Sequence, residues 1–160
     1  MTRGLYIGRF QPFHLGHLHL VKKALKEVDE LVIGIGFNKK NNKNQNPFSL
    51  KQRIEMIDLA LPAAGITRYT IFPIPDHPSD KKWLEQVETL VPKFDVVFMS
   101  DKNTFGEKWV EKCFRKKYKT KKIKALKNIN ATLIREKMRK REIWEKLVPK
   151  EVYDYINKIY

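Results

Sequence analysis

The sequence predicts an α/β fold in which about five parallel strands form one sheet with helices on both faces. Apolar runs of strand length alternate along the chain with segments whose apolar residues recur at helical spacing. The run ELVIGIGF (residues 30–37) is apolar after its first residue, which is typical of a strand buried on both faces. Such alternation favours right-handed crossover connections between parallel strands. The predicted arrangement is therefore Rossmann-like.

The first half of the chain supplies the clearest elements. GLYIG predicts a short buried strand at residues 4–8, and helical spacing of apolar residues follows over 15–27. The second strand covers 30–37. Ser49 is suited to cap the start of a helix over residues 50–61, because its hydroxyl can accept a backbone N–H.

The second half continues the alternation. RYTIFPIP predicts a third strand at 68–75 that ends in prolines, and apolar residues on one side predict a helix at 80–90. FDVVFMS predicts the fourth strand at 94–100. A helix near 105–117 and a weaker strand around 121–126 follow.

The C-terminal region reads as helical. Four apolar residues continue a helical pattern: Ile134, Met138, Ile143 and Leu147. Pro149 stands near the start of a last helix, where its fixed φ angle is tolerated.

The length of the chain favours one domain over residues 1–160, since 160 residues suit a single core and the sequence has no low-complexity linker. No apolar run approaches the ~20 residues that a membrane span needs, so no membrane partner is expected. Cys113 is the single cysteine, which excludes an intrachain disulfide and favours the cytoplasm. We interpret Cys113 as a packing residue.

The charge of the chain is typical of a protein with polyanionic partners, and solubility is the alternative explanation. Lysine and arginine number 33 against 18 acidic residues, a net charge of +15. This imbalance attracts nucleic acid, anionic lipid or phosphorylated metabolites. Two basic concentrations stand out: NKKNNKN (38–44) predicts a polar loop, and RKKYKTKKIK (115–124) predicts a solvated edge or a nucleic-acid surface. Charge alone does not decide between these classes.

The stretch GRFQPFHLGHLHLV (8–21) predicts a phosphate site. His14 and His17 are three residues apart at the first turn of the first helix, so their rings share one face. The helix N-terminus there offers free N–H groups and partial positive charge. Gly8 lets a ligand approach the backbone, and Arg9 adds a donor suited to phosphate oxygens.

Three alternatives remain for the paired histidines. A zinc site needs three or four ligands, and this stretch has no cysteine, aspartate or glutamate nearby. A hydrolytic triad needs a placed nucleophile and an orienting carboxylate, which are missing. In the third alternative, His14 and His17 only cap the helix. His19 faces away from both by helical geometry and is interpreted as a surface residue.

These motifs resemble a known family. H-x-G-H after a short strand is the signature of a nucleotidyltransferase superfamily, and the longer GRFQPFHLGHL is similar to the archaeal-type nicotinamide mononucleotide (NMN) adenylyltransferases. The resemblance runs in order through nearly the whole chain: NPFSLKQR (46–53), Trp83, PKFDVVFMS, ATLIR (131–135) and WEKLVPKEV (144–152).

The resemblance implies adenylyl transfer from ATP to the 5′-phosphate of NMN, giving NAD and pyrophosphate. It implies catalytic roles on the phosphates for His14, His17 and Arg135. The ATP- and phosphate-binding residues that it implies are Gly8, Arg9, Phe10, Gly16, Asn130, Thr132 and Arg135. Magnesium (Mg²⁺) is expected on the ATP phosphates, with no ligand from the protein. The resemblance also implies a homo-oligomer, a hexamer.

The acceptor is the less specific part of the resemblance. Trp83 matches a position that stacks on the nicotinamide ring, and a core residue is the alternative for it. Asp80 stands where the family usually has asparagine. SDKN (100–103) likewise replaces the usual S-G-N-P after the fourth strand. Another phosphorylated acceptor, such as phosphopantetheine or FMN, is the alternative substrate. A nucleic-acid-binding protein using residues 115–124 is the alternative from another class.

Overall fold

The computed structural model describes residues 1–38 and 46–160. Within these residues, five parallel strands form one sheet in the order β3-β2-β1-β4-β5. The strands are β1 (Arg3–Gly8), β2 (Glu30–Phe37), β3 (Tyr69–Pro75), β4 (Val96–Ser100) and β5 (Lys119–Ile123). The predicted α/β fold with five parallel strands is confirmed.

Six α-helices alternate with the strands and then follow them. They are α1 (Leu15–Ala24), α2 (Leu50–Ala63), α3 (Asp80–Leu90), α4 (Phe105–Phe114), α5 (Ala131–Arg139) and α6 (Lys150–Ile159). A short 3₁₀ turn, Glu145–Leu147, precedes α6. Over the described ranges, no helix is both long and apolar enough to cross a membrane.

Several boundaries differ from the prediction for local reasons. α1 and α4 stop at Ala24 and Phe114, earlier than periodicity predicts, because the chain turns after each of them. β5 begins earlier than predicted, since pairing with β4 sets its register on the sheet edge: Ser100 lies opposite Ile123. The C-terminal region is divided rather than continuous, and Arg141, with φ of 56°, lies in the turn after α5.

The described chain comprises two compact units. The first contains the sheet with α3 and α4 and covers residues 1–9, 20–38 and 68–125. The second is mainly helical and covers residues 10–19, 46–67 and 126–160. The single domain over residues 1–160 stays a prediction.

The core of the first unit packs two helices against its sheet. Strand residues such as Leu5 and Val97 pack with Trp83 and Val87 of α3 and Phe114 of α4 in one buried cluster. All five strands are parallel, so their carboxyl ends lie along one edge of the sheet. The chain order reverses beside β1, and ligands of open α/β sheets bind at such a point.

The second unit is held by contacts between α2 and α6. Ser49 and Gln52 form a reciprocal cap at the start of α2, as the sequence predicts for Ser49. The hydroxyl of Tyr160 donates to the carbonyl of Pro47 at 3.0 Å, and its ring meets Phe48 edge-on at 5.6 Å. These contacts fix the segment that leads into α2.

Glutamates pair with several lysines of the basic stretch 115–124. The pairs are Lys117 with Glu88, Lys121 with Glu27, and Lys122 with Glu111. Three of the seven basic residues in this stretch therefore have acidic partners within the first unit, which lowers the charge that the stretch offers to a nucleic acid. In the other basic stretch, NKKNNKN, the residues from Lys39 onward lie outside the described part of the chain.

Cys113 is half-buried and packs against the core of the first unit. Burial, aided by the charge of Asp80, raises the pKa of its thiol to about 11. The thiol therefore stays protonated at neutral pH, as expected of the packing residue that the sequence predicts.

Gly4 tests the packing of the central strand. A Cβ on Gly4 would lie 2.4 Å from Cε2 of Phe98, whose ring is only 1% exposed. We expect Gly4→Ala to lower the free energy of unfolding by about 1–3 kcal/mol, measured by urea denaturation.

Gly106→Ala is the matched control, because no heavy atom lies within 4 Å of the added Cβ. Alanine favours a helix over glycine, so this variant should be neutral or slightly stabilising. An unchanged unfolding midpoint for Gly4→Ala would contradict the close packing of β1 on Phe98.

Candidate active site

Arg9 follows β1 at the carboxyl edge of the sheet. Its Nη2 donates to Oδ1 of Asp76, just after β3, at 2.8 Å. A Cβ on Gly36 in β2 would lie 3.7 Å from the guanidinium carbon, so the side chain of Arg9 extends over the end of β2. Arg9 and Gly8 thus lie at the predicted edge. The partner of Arg9, Asp76, has no signal in the sequence.

His14 and His17 cap the start of α1 reciprocally. Nδ1 of His14 accepts the backbone N–H groups of Gly16 at 3.0 Å and His17 at 3.3 Å. Nδ1 of His17 accepts the N–H of His14 at 3.0 Å. This arrangement repeats the capping box of serine and glutamate with two imidazoles. The rings stack with centroids 3.6 Å apart, so the shared face that the spacing predicts is present.

The reciprocal cap determines where each neutral imidazole carries its proton. A ring nitrogen that accepts an N–H has no hydrogen of its own, so the single proton of the neutral ring is on the other nitrogen. Because Nδ1 is the acceptor in both His14 and His17, both are assigned as Nε2–H tautomers. Nδ1 of each ring accepts the backbone N–H, and Nε2–H is the group that can donate to a phosphate oxygen. The capping and phosphate-binding interpretations are therefore compatible.

Gly16 is required by the ring of His14. A Cβ on Gly16 would lie 2.8 Å from Cε1 and 2.9 Å from Nδ1 of that ring. Any larger residue would therefore push His14 off the helix start. The structure gives the glycine of H-x-G-H a packing reason in addition to the phosphate contact that was predicted.

Two phenylalanines pack on His17. Phe10 meets the His17 ring edge-on at 4.7 Å, and Phe13 stacks on it at 5.4 Å. Both phenylalanine rings are buried. Phe10 has φ of 54°, an uncommon conformation that turns the chain between β1 and α1. Its ring thus supports His17, and the phosphate contact of Phe10 stays a prediction.

Arg135 is held by two neutral oxygens. Nη1 donates to the carbonyl of Gln11 at 2.8 Å, and Nη2 donates to Oγ1 of Thr132 at 3.3 Å. Thr132 and Arg135 share one face of α5, as their spacing predicts. Burial, with the nearby charge of Arg139, lowers the pKa of Arg135, yet a guanidinium remains charged at neutral pH.

Asn130 caps α5. Its Oδ1 accepts the N–H of Leu133 at 2.8 Å. The side-chain oxygen of Asn130 is therefore engaged by the helix, and its amide nitrogen is the atom suited to donate to a phosphate oxygen.

Gln11 was missed by sequence reasoning. Its side chain is 4% exposed and makes two hydrogen bonds to the backbone of Phe48, with Nε2 donating to the carbonyl at 2.9 Å and Oε1 accepting the N–H at 3.0 Å. Neither spacing nor periodicity pairs residues so far apart. The only available signal was a glutamine between aromatic residues, which needs partners if it is buried.

Trp83 and Asp80, the predicted acceptor-binding residues, are tied to α4. The Trp83 ring is 2% exposed and packs on Trp109 at 4.4 Å and Phe114 at 5.7 Å. Asp80 accepts the indole N–H of Trp109 at 2.9 Å. Trp83 is thus a core residue here. Stacking on a nicotinamide ring would require neighbouring side chains to move.

Metal ligands do not cluster in the part of the chain that the structure describes. Residues 1–38 and 46–160 contain no group of three or more histidine, cysteine, aspartate or glutamate side chains that could hold a metal ion. The zinc alternative for the paired histidines lacks a ligand set in these residues.

Comparisons with known proteins agree with the H-x-G-H motif. A family profile described as cytidylyltransferase-like matches residues 5–137. The nicotinamide-nucleotide adenylyltransferase of Pyrococcus furiosus is 40% identical over 99% of this chain and 85% of its own length. The enzyme of that name from Saccharolobus solfataricus is also 40% identical, over 99% of this chain and 92% of its own.

A solved structure agrees with the fold. It is that of a bifunctional NMN adenylyltransferase/ADP ribose pyrophosphatase from Francisella tularensis, complexed with AMP and a manganese ion. The TM-score is 0.85 at 28% identity, and the match covers 99% of this chain. It covers 48% of the other chain, so this protein spans about half of that length. From its sequence relatives and its fold, the chain belongs to the nicotinamide-nucleotide adenylyltransferases within the cytidylyltransferase-like family.

Proposed function

We propose that this chain transfers the adenylyl group of ATP to the 5′-phosphate of NMN, using the His14–His17 pair and Arg135 on the transferring phosphates. The reciprocal cap at the start of α1 is the observation that carries this assignment to residues. Membership of the nicotinamide-nucleotide adenylyltransferases supports the two substrates.

The acceptor phosphate is the nucleophile. Its second pKa is about 6, so at neutral pH it is largely dianionic and needs no general base. An oxygen of this phosphate forms a bond to the α-phosphorus of ATP. The bond from the α-phosphorus to the bridging oxygen breaks, and pyrophosphate leaves with the electron pair. The protein therefore has to position two polyanions and stabilise the developing charge.

His14 and His17 meet that requirement. Their Nε2–H groups donate to oxygens of the α- and β-phosphates, while the Nδ1 atoms stay on the backbone of α1. The rings are held before substrate binds, so little reorganisation accompanies the reaction. The N-terminus of α1 adds partial positive charge at the same place.

Arg135 and Thr132 contact the β- and γ-phosphates from the start of α5, and Asn130 donates there through its amide nitrogen. Among the described residues, the Arg135 guanidinium donates to neutral oxygens and pairs with no carboxylate. Gly8 and Arg9 act on phosphate from the end of β1, where Asp76 orients the Arg9 guanidinium.

Mg²⁺ accompanies ATP in this proposal. Substrate phosphate oxygens and water would be its main ligands, as is usual for this ion with nucleotides. When bound, the ion neutralises charge on the triphosphate and on the departing pyrophosphate. The Francisella relative was crystallised with manganese, which supports a divalent ion.

The acceptor-side residues are proposed from their positions in the sequence. We keep Asp80 as an acceptor-side residue, since it would repel a deamido nucleotide that carries a carboxylate. Trp83 is buried, so its predicted stacking on the acceptor requires neighbouring side chains to move. The hexameric homo-oligomer and the cytoplasmic location stay predictions.

Pyrophosphate release tests the function directly. With ATP and Mg²⁺ present, we expect NMN to give the highest kcat/KM in a panel that also contains its deamido analogue, phosphopantetheine and FMN. NAD should form in equal amount to pyrophosphate. Turnover with another acceptor and none with NMN would overturn the proposed substrate and keep adenylyl transfer.

His17→Ala tests the phosphate contacts. Removing one donor from a charge-stabilising site typically lowers kcat by ~10²–10³. His19→Ala is the matched control on the same helix, because His19 lies about 200° around the helix from His17. Its kcat should stay within about twofold of wild type. Near-normal turnover of a folded His17→Ala protein would contradict the proposed role of His17 on the phosphates.

Gly16→Ala tests the reciprocal cap independently of substrate. Long-range ¹H–¹⁵N NMR of the wild-type protein should show neutral His14 and His17 as Nε2–H tautomers. The added Cβ should move the His14 ring and change its ¹⁵N shifts, whereas Gly106→Ala should leave them unchanged. An Nδ1–H tautomer at either histidine in the wild type would contradict the reciprocal cap.

A further inference from the structure

Gln11 joins three parts of the second unit. Its side chain pairs with the backbone of Phe48 just before α2, through one donated and one accepted hydrogen bond. Its own carbonyl accepts the 2.8 Å hydrogen bond from Arg135 of α5. His14, the cap of α1, follows three residues later. One buried residue therefore connects the starts of α1 and α2 with the guanidinium of α5.

The backbone around Phe48 is held by contacts that do not involve Gln11. The Phe48 ring is fully buried and meets Tyr160 edge-on, and Tyr160 donates to the carbonyl of Pro47. Ser49, the next residue, caps α2. The backbone of Phe48 is thus held from both sides without Gln11. The two hydrogen bonds therefore fix Gln11 on Phe48.

The other side carries the reacting groups of the proposed function. Within the described residues, the Arg135 side chain donates two hydrogen bonds, and the shorter one ends on the carbonyl of Gln11. A shift of this carbonyl changes the direction in which the guanidinium points. The same backbone continues into the histidine pair, so the displacement also reaches the phosphate donors. A misplacement of 1 Å can lower a rate by ~10²-fold.

We propose that Gln11 is a positioning residue for adenylyl transfer: its side chain locks the backbone onto Phe48 so that Arg135 and the histidine pair are aligned on the phosphates. The inference rests on the proposed function. The side chain is 4% exposed and engaged with Phe48, so Gln11 acts through these groups and not on substrate.

Gln11→Met tests the inference, because methionine fills a similar volume and makes neither hydrogen bond to Phe48. We expect kcat to fall ~10–10²-fold while KM for ATP and NMN stays within about threefold, since misalignment acts on the transition state. Gln11→Glu keeps the bond accepted from the Phe48 N–H and loses the donated one. The kcat of Gln11→Glu should lie between those of wild type and Gln11→Met. Gln11→Glu is the test variant if the Gln11→Met protein does not fold.

Gln52→Met is the matched control. Gln52 also bonds the segment before α2, accepting the N–H of Ser49 at 2.9 Å, but it makes no contact with Arg135 among its described hydrogen bonds. This variant should lower the thermal midpoint and leave kcat within about twofold. If Gln11→Met behaves in the same way as Gln52→Met, the role of Gln11 is structural only and the proposal is wrong.

A double-mutant cycle with Arg135→Ala separates positioning from general destabilisation. If Gln11 acts through the guanidinium, Gln11→Met should lower kcat much less in the Arg135→Ala protein than in wild type. Fully additive losses would overturn the link to Arg135. The wild-type assay with ATP and NMN distinguishes failure of the proposed function from failure of the positioning role. No wild-type turnover refutes the proposed function, whereas normal wild-type turnover with an unaffected Gln11→Met refutes only the positioning role.

Discussion

The reciprocal hydrogen bonds between His14, His17 and the first turn of α1 are the constraint on which the candidate site depends. They satisfy helix N–H groups that otherwise have no partner, and they fix the tautomer of both rings. Neighbouring residues then follow from the need to seat two imidazoles. Gly16 has no Cβ because the His14 ring occupies its place, and Phe10 packs behind His17. Local structure and chemistry thus share the same atoms.

The positive charge of the chain is used in different ways. Lysines near the edge strand β5 pair with glutamates, and Arg9 pairs with Asp76, so several of the 33 basic side chains have acidic partners within the protein. Arg135 differs because its hydrogen-bond partners are a carbonyl and a hydroxyl. These oxygens orient the guanidinium without neutralising it. For this reason Arg135 should stabilise phosphate charge more strongly than Arg9, although Arg9 lies nearer in sequence to the histidines.

The sequence predicts what depends on local periodicity and spacing. The first four strands follow from apolar runs, and the shared face of His14 and His17 follows from their separation of three residues. The predicted bounds of the edge strand β5 are the least accurate, because a strand with exposed lysines has little apolar pattern. Contacts between distant residues, such as Gln11 with Phe48, depend on the tertiary fold and leave no local signal. Periodicity also does not distinguish a core aromatic residue from one that binds a ligand, so Trp83 was assigned from resemblance and the structure buries it.

The residue types at the two helix starts follow from a double demand on one side chain. A cap must accept a backbone N–H, and a phosphate ligand must donate a hydrogen. Aspartate caps well but would bring a negative charge to the phosphates. Neutral histidine accepts with Nδ1 and donates with Nε2, and asparagine accepts with its oxygen and donates with its nitrogen. The chain has histidine before α1 and Asn130 before α5, so each helix start combines one acceptor for the backbone with one donor for an anion. Asn130 keeps this division between the oxygen and the nitrogen of its side chain.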